Sequence, residues 1–235
     1  NFLGGFLQFK PSSYSWIFVQ PYSPEELDKM ADEGNLRLMD KVIPDAILWC
    51  AIWSVLRVVI TYILLEPLAM SAMNFKLYSS AEIAEAKPKG RALYEMHNKE
   101  VKKRTVKFVE ASWRAILYAT FLYVGFRAIL KDGGSGEFEF MDFIWDTKLM
   151  WKNWPFHPVG KFLDILYTME LGAYLHQLLW TEVVRDDAVE MIVHHITTIL
   201  LIGLSALNAL WYVGGVIMVL HDTADIFLET AKCFN

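Results

Sequence analysis

Two long apolar segments near the end of the sequence most constrain the fold. Val189–Leu207 and Trp211–Leu228 are each long enough to cross a bilayer as a helix, and only a short turn near Asn208 separates them. Hydrophobic residues make up 54% of the 235-residue chain, more than the roughly 45–50% that is usual in soluble domains. The sequence therefore predicts an all-α membrane protein in which these two helices form an antiparallel pair.

Three earlier segments are also predicted to be membrane-spanning helices, which gives about five spans: Val42–Leu65, Phe108–Leu130 and Lys161–Trp180. In the first, Arg57 is interpreted as an interior or snorkelling cation, and Pro67 is expected to end the helix. The third span is less hydrophobic, and we predict that it lines a polar interior. Its polar residues are Asp164, Glu170, His176 and Gln177. His176 is interpreted as a core histidine.

The segments between the spans define the predicted domain organisation. Residues 1–41 are an N-terminal lumenal or interfacial segment with a short helix in Pro21–Met39, and residues 42–65 are the first span. Residues 66–107 form a loop with nine Lys and Arg side chains, which the positive-inside rule places in the cytosol. The alternative for this basic loop is a site for an anionic headgroup or a nucleotide phosphate. Residues 108–235 hold the remaining spans.

Ionisable side chains interrupt the last two apolar helices. Placing a charge inside a membrane is unfavourable, so we interpret these side chains first as part of a functional site. The first helix carries two of them and the second carries three: His194, His195, His221, Asp222 and Asp225. The net charge of −5 gives no indication of nucleic-acid binding. The two cysteines form no CxxC pattern.

The spacing of these side chains places them close together. If the chain reverses at Asn208, His195 lies thirteen residues before the turn and His221 lies thirteen after it. At about 1.5 Å per residue, the two histidines then have similar depths on antiparallel helices. Glu190 precedes His194 by one turn and could orient it. With residues 66–107 in the cytosol, His194 lies only about 10 Å deep, within reach of a cytosolic reactant.

A histidine beside a carboxylate has several chemical uses. It can act as a general base towards an amine or a hydroxyl, because its pKa lies near working pH. It can also attack as a nucleophile and form an acyl-imidazole. Zinc or iron binding is an alternative, although the sequence has none of the repeated HxxHH boxes of membrane hydroxylases. A purely structural pairing of buried polar groups is the remaining alternative.

The segments Val189–Gly203 and Ile217–Asn235 together read HH followed by HDxxDxxLExxK. This pattern resembles the signature motif of ceramide synthases, the sphingoid-base N-acyltransferases of the TLC-domain family. FVEASWR at Phe108–Arg114 and the Trp-rich Trp145–Val159 also look like that family. The resemblance covers about residues 42–235, and it implies a polytopic helix bundle whose residues 108–235 are a partial TLC catalytic domain.

The resemblance also implies a function. Ceramide synthases are multi-pass proteins of the endoplasmic reticulum membrane that transfer a fatty acyl group from acyl-CoA to the amine of sphinganine or sphingosine. The expected partners are thus acyl-CoA, a sphingoid base and membrane lipid, without nucleic acid. No cofactor and no metal is expected, since acyl-CoA is a co-substrate. The resemblance is compatible with a homodimer and with a heterodimer.

Residue by residue, the motif assigns the catalytic positions to His194, His195, Asp222 and Asp225. His195 is the preferred base or transient acyl carrier, and the aspartates would orient a histidine or hold the substrate amine and hydroxyls. His221 and Glu190 are expected to be supporting residues.

The chain departs from the family pattern in its number of spans. The family has six or more, so further helices are expected after Asn235 and the chain is expected to be part of a longer protein. The alternative function is that of a non-enzymatic TLC-domain protein that senses or regulates lipids.

Overall fold

The computed structural model describes residues 25, 42–72, 77–130, 146–151, 154, 159–180 and 188–234. Within these ranges the helices are α1 (Ile43–Ala72), α2 (Ser80–Glu85), α3 (Pro88–Leu130), α4 (Lys161–Leu179), α5 (Ala188–Leu207) and α6 (Trp211–Cys233), together with a short 3₁₀-helix at Thr147–Trp151. The described residues contain no β-strand. The predicted all-α membrane bundle is therefore confirmed. The helix predicted within Pro21–Met39 lies outside the described residues except for Glu25.

Three of these helices, α1, α5 and α6, are long and apolar enough to cross a membrane. They correspond to the first, fourth and fifth predicted spans. The predicted second and third spans are also helical, as the last part of α3 and as α4. The basic segment 66–107 is largely helical, because α1 continues into it and α3 begins at Pro88.

The prediction that Pro67 ends the first helix is wrong, since α1 continues to Ala72. A proline inside an α-helix removes one hydrogen bond, and its ring clashes with the carbonyl group four residues earlier. Here the preceding residues Thr61–Leu65 form a π-helical turn. The wider turn shifts the hydrogen-bonding pattern just before the proline, so that the helix can continue past it.

The turn between α5 and α6 lies where the sequence predicts it. Ala209 adopts a left-handed conformation with φ of 54°, which reverses the chain. The side chain of Asn208 donates to the carbonyl of Leu204 at 2.9 Å, and the Leu210 amide donates to the carbonyl of Ser205 at 2.9 Å. The Tyr167 hydroxyl of α4 lies 2.8 Å from Ser205 Oγ and ties α4 to this turn.

The described chain divides into two compact units, the first within residues 1–54 and 120–223 and the second within 55–119 and 224–235. In the first unit α4 is buried over most of its length. It lies against the beginning of α1, where the Trp53 indole donates to the carbonyl of Met169 at 3.3 Å. Gly172 is the point of close approach, because a Cβ there would lie 2.5 Å from the Ala46 carbonyl oxygen.

This close approach predicts that Gly172→Ala destabilises the protein. The added methyl group would also lie 2.5 Å from Trp49 Cβ, so two helix backbones would have to separate. We expect a loss of about 1–3 kcal/mol in the free energy of unfolding, measured in detergent micelles by denaturant titration. Gly203→Ala is the matched control, because nothing lies within 4 Å of its added methyl group. The control should be neutral or slightly stabilising, and equal losses in both variants would contradict this packing.

The second unit contains a chain of alternating charges. Arg57 of α1 pairs with Glu110 of α3, and the side chain of Arg57 is only 13% exposed. Arg114 Nε lies 2.9 Å from a carboxylate oxygen of Glu229 on α6, which also pairs with Lys232 at 2.6 Å. The interpretation of Arg57 as an interior cation is confirmed. Each buried charge here has an opposite charge beside it, which offsets its desolvation.

Candidate active site

The two adjacent histidines of α5 lie in different environments. Successive side chains on a helix point about 100° apart, and the burial reflects this, because His195 is 3% exposed while His194 is exposed. Their ring centroids are 5.5 Å apart. His195 is thus the histidine that faces the protein interior, and its role as base or acyl carrier stays a prediction.

On α6 the adjacent His221 and Asp222 are separated in the same way. His221 is exposed and its ring stacks on that of His194, with centroids 5.9 Å apart and an angle of 19° between the planes. The two helices are therefore matched in depth at His194 and His221, one residue away from the predicted match of His195 with His221. Asp222 is fully buried. Each helix thus contributes one exposed histidine and one buried polar residue.

Helix α4 contributes Tyr174, which the sequence analysis did not identify. Its ring centroid lies 5.8 Å from that of His195 and 6.3 Å from that of His194. Tyr174 is itself buried, so it fixes the position of the His195 ring from the side of α4. Nothing in its sequence context distinguishes it from other aromatic residues of a membrane helix.

Glu170 lies one turn before Tyr174 and faces α6. Its carboxyl group and that of Asp222 on α6 lie close enough for their charges to interact. Glu170 is 2% exposed and Asp222 is 0% exposed. The prediction that the third span lines a polar interior is confirmed, but the sequence analysis did not identify Glu170 as a site residue. The available signal was a glutamate in the middle of a membrane helix.

The positions of the other predicted site residues say less about their roles. Asp225 is half-buried one turn beyond Asp222 on α6. Glu190 is exposed on the first turn of α5, and no hydrogen bond joins it to His194 within the described residues. Their roles stay predictions. His176 lies elsewhere in the first unit, where it is buried with its Nδ1 3.0 Å from Ser54 Oγ, so its interpretation as a core histidine is confirmed.

The arrangement combines imidazoles, a buried carboxyl pair and a tyrosine ring. Among the described residues, no three His, Cys, Asp or Glu side chains are placed to hold a metal ion. A buried imidazole in polar surroundings is suited to accepting a proton or to attacking an acyl carbon. The catalytic roles of His194, His195, Asp222 and Asp225 remain predictions that this arrangement accommodates.

Similar proteins are known in animals and plants. Human ceramide synthase 5 is 36% identical over 131 residues, which are 55% of this chain and 31% of that protein. Ceramide synthase LOH2 of Arabidopsis thaliana is 28% identical over 149 residues, 62% of this chain and 47% of that protein. Ceramide synthase hyl-2 of Caenorhabditis elegans is 29% identical over 133 residues, 55% and 38% respectively.

The chain thus spans less than half the length of each of these relatives. The matched part includes the helices that carry the paired histidines and Asp222, since residues 107–235 match the TLC domain. Because this match extends over more than half of the chain, the protein belongs to the TLC-domain family.

Proposed function

We propose that this protein is a ceramide synthase, which transfers a fatty acyl group from acyl-CoA to the amine of a sphingoid base. The observation that carries the proposal is the placement of His195 among Tyr174 and His194, with the Glu170–Asp222 carboxyl pair in the same unit. The names of the relatives supply the substrate class. Residues 108–235 would then be the catalytic part, and residues 42–65 and 66–107 the first span and its cytosolic connection.

The chemistry requires an amine to replace a thiolate on an acyl carbon. If His195 is the base, it takes a proton from the amine while the C–N bond forms and the C–S bond breaks, and the CoA thiolate leaves and is protonated. If His195 is the acyl carrier, its ring nitrogen first displaces the thiolate, and the amine then displaces the imidazole. Both routes give one amide and one free thiol. Asp222 and Asp225 would orient a histidine or hold the amine and hydroxyls.

The membrane setting fits such substrates. Both substrates carry long alkyl chains that partition into a bilayer, and α5 and α6 are long and apolar enough to lie in one. We place the protein in the endoplasmic reticulum membrane, with the polar side chains near the cytosolic face where acyl-CoA is found. In this orientation the CoA group stays in water while the acyl chain enters the bundle.

The alternative is a TLC-domain protein that senses or regulates lipids without catalysis. Such a protein would need the helix bundle but not the set of His194, His195, Asp222 and Asp225. All four are present, and the two histidines and Asp222 lie in the same unit, which supports the enzyme.

An acyl-transfer assay on membranes that contain the full-length protein distinguishes the two functions. They should come from cells without other sphingoid-base acyltransferases, and they should be supplied with sphinganine and a panel of acyl-CoAs of different chain length. We expect N-acyl sphinganine, detected by mass spectrometry, with at least one acyl-CoA. Folded protein that yields no product across the whole panel would contradict the proposal and favour the lipid-sensing alternative.

A further inference from the structure

The turn between α5 and α6 pairs one residue on each side of it directly. The Leu210 amide donates to the carbonyl of Ser205 at 2.9 Å, and Ser205 Oγ lies 3.2 Å from the Leu210 carbonyl oxygen. His194 lies eleven residues before Ser205, and His221 lies eleven residues after Leu210. Because both helices rise about 1.5 Å per residue, this pairing puts His194 level with His221. The stacking of the two imidazole rings agrees with it.

Tyr167 of α4 reaches both members of this pair with a single hydroxyl group. The hydroxyl donates to the carbonyl of Leu210 at 3.1 Å and lies 2.8 Å from Ser205 Oγ, which can donate to it. The carbonyl of Trp211, one residue further along, lies at 3.3 Å. The Tyr167 ring also packs edge-on against the Trp211 indole, with centroids 4.6 Å apart. Tyr167 is fully buried, so these contacts are costly to lose, because water does not replace them.

Gly214 provides the space for the Tyr167 hydroxyl. A Cβ at position 214 would overlap both the Tyr167 hydroxyl oxygen and Ser205 Oγ. Glycine lowers the stability of a helix relative to alanine, so its presence in α6 is explained by this need for space rather than by helix preference. The hydroxyl can therefore be displaced in two independent ways, by removing the oxygen or by filling the space beside it.

We infer that Tyr167 is a positioning residue of the site, because its hydroxyl holds Ser205 and Leu210 in the pairing that sets the register of α5 against α6. A slip of one residue would instead place His195 level with His221, which is the match that residue counting from the turn predicts. All of these residues lie in the first unit. The effect of Tyr167 on reaction rate rests on the proposed acyl transfer, whereas its effect on the register does not.

Cysteine cross-linking measures the register without reference to activity. The full-length protein, with its own cysteines replaced by alanine, carries His221→Cys together with either His194→Cys or His195→Cys. We expect a short bifunctional thiol reagent to cross-link the first pair faster than the second, after correction for the reactivity of each cysteine alone. Tyr167→Phe and Gly214→Ala should each reduce this preference about threefold to tenfold, the effect of one net hydrogen bond.

Tyr123→Phe is the matched control for the cross-linking experiment, because Tyr123 is 65% exposed on α3. The control should leave the preference at the wild-type value. A preference that is unchanged in both Tyr167→Phe and Gly214→Ala would overturn the inference. An equally large change in the control would also overturn it.

Kinetics of the full-length protein with its histidines intact test the positioning role. In Tyr167→Phe and in Gly214→Ala, kcat per folded molecule should fall about tenfold while KM for acyl-CoA changes little. Gly214→Ala should have a smaller effect in the Tyr167→Phe background than in wild type, because the overlapping oxygen is already gone. Wild-type kcat per folded molecule in both single variants would contradict the inference. An inactive wild type would instead contradict the proposed function, and the cross-linking result would still decide the register.

Discussion

His195→Ala is expected to lower the rate of acyl transfer at least about 1000-fold, because the substitution removes the imidazole that we propose as base or acyl carrier. The same substitution at His194 should have a smaller effect. His194 is exposed and stacks on His221, whereas His195 is buried against Tyr174. The measurement is the rate of N-acyl sphinganine formation by membranes with equal amounts of each folded variant.

His176→Gln is the matched control for this experiment. His176 is also a buried histidine of the first unit, but its ring bonds to Ser54. The control should lower thermal stability without a large loss of acyl transfer. A His195→Ala variant that keeps near-wild-type turnover would contradict the assigned role. So would a His176→Gln variant that remains folded and is equally inactive.

The second large effect is expected for Asp222→Asn, which should lower acyl transfer about 100-fold or more. Asparagine has nearly the same shape as aspartate, but it carries no negative charge. A neutral residue in a buried site removes a desolvation penalty, so thermal stability should be unchanged or higher. Loss of activity without loss of stability would separate a chemical role from a structural one.

Asp146→Asn is the control for this second prediction, because Asp146 is an exposed carboxylate whose side chain bonds to the Lys148 amide. It should leave the rate unchanged. An Asp222→Asn protein that turns over at the wild-type rate would show that the charge of Asp222 has no part in the reaction. A variant that is both inactive and unfolded would assign Asp222 to the core instead.

The parts of the site that follow from helix geometry could be predicted from the sequence. The turn near Asn208 and the rise of about 1.5 Å per residue together place His195 level with His221, and the observed ring contact is one residue away, between His194 and His221. The opposite environments of His194 and His195 follow from the 100° rotation between neighbouring residues. These relations depend on one turn and two regular helices, so no tertiary information is required.

The contribution of α4 could not be predicted because it depends on how a third helix is rotated and placed. Glu170 and Tyr174 are far from the motif in sequence, and no spacing rule links them to Asp222 or His195. The continuation of α1 past Pro67 was also missed, because the π-helical turn that accommodates the proline has no recognised sequence signal. For α4, packing between helices rather than local preference determines which side chains reach the site.

The most direct test of the account is acyl transfer by the purified full-length protein in lipid nanodiscs, supplied only with acyl-CoA and sphinganine. Purification removes every other acyltransferase, so any product comes from this protein. We expect N-acyl sphinganine and an equal amount of free CoA, both absent when His195→Ala replaces the wild type. Folded wild-type protein that releases no CoA and forms no amide with any acyl-CoA would contradict the account.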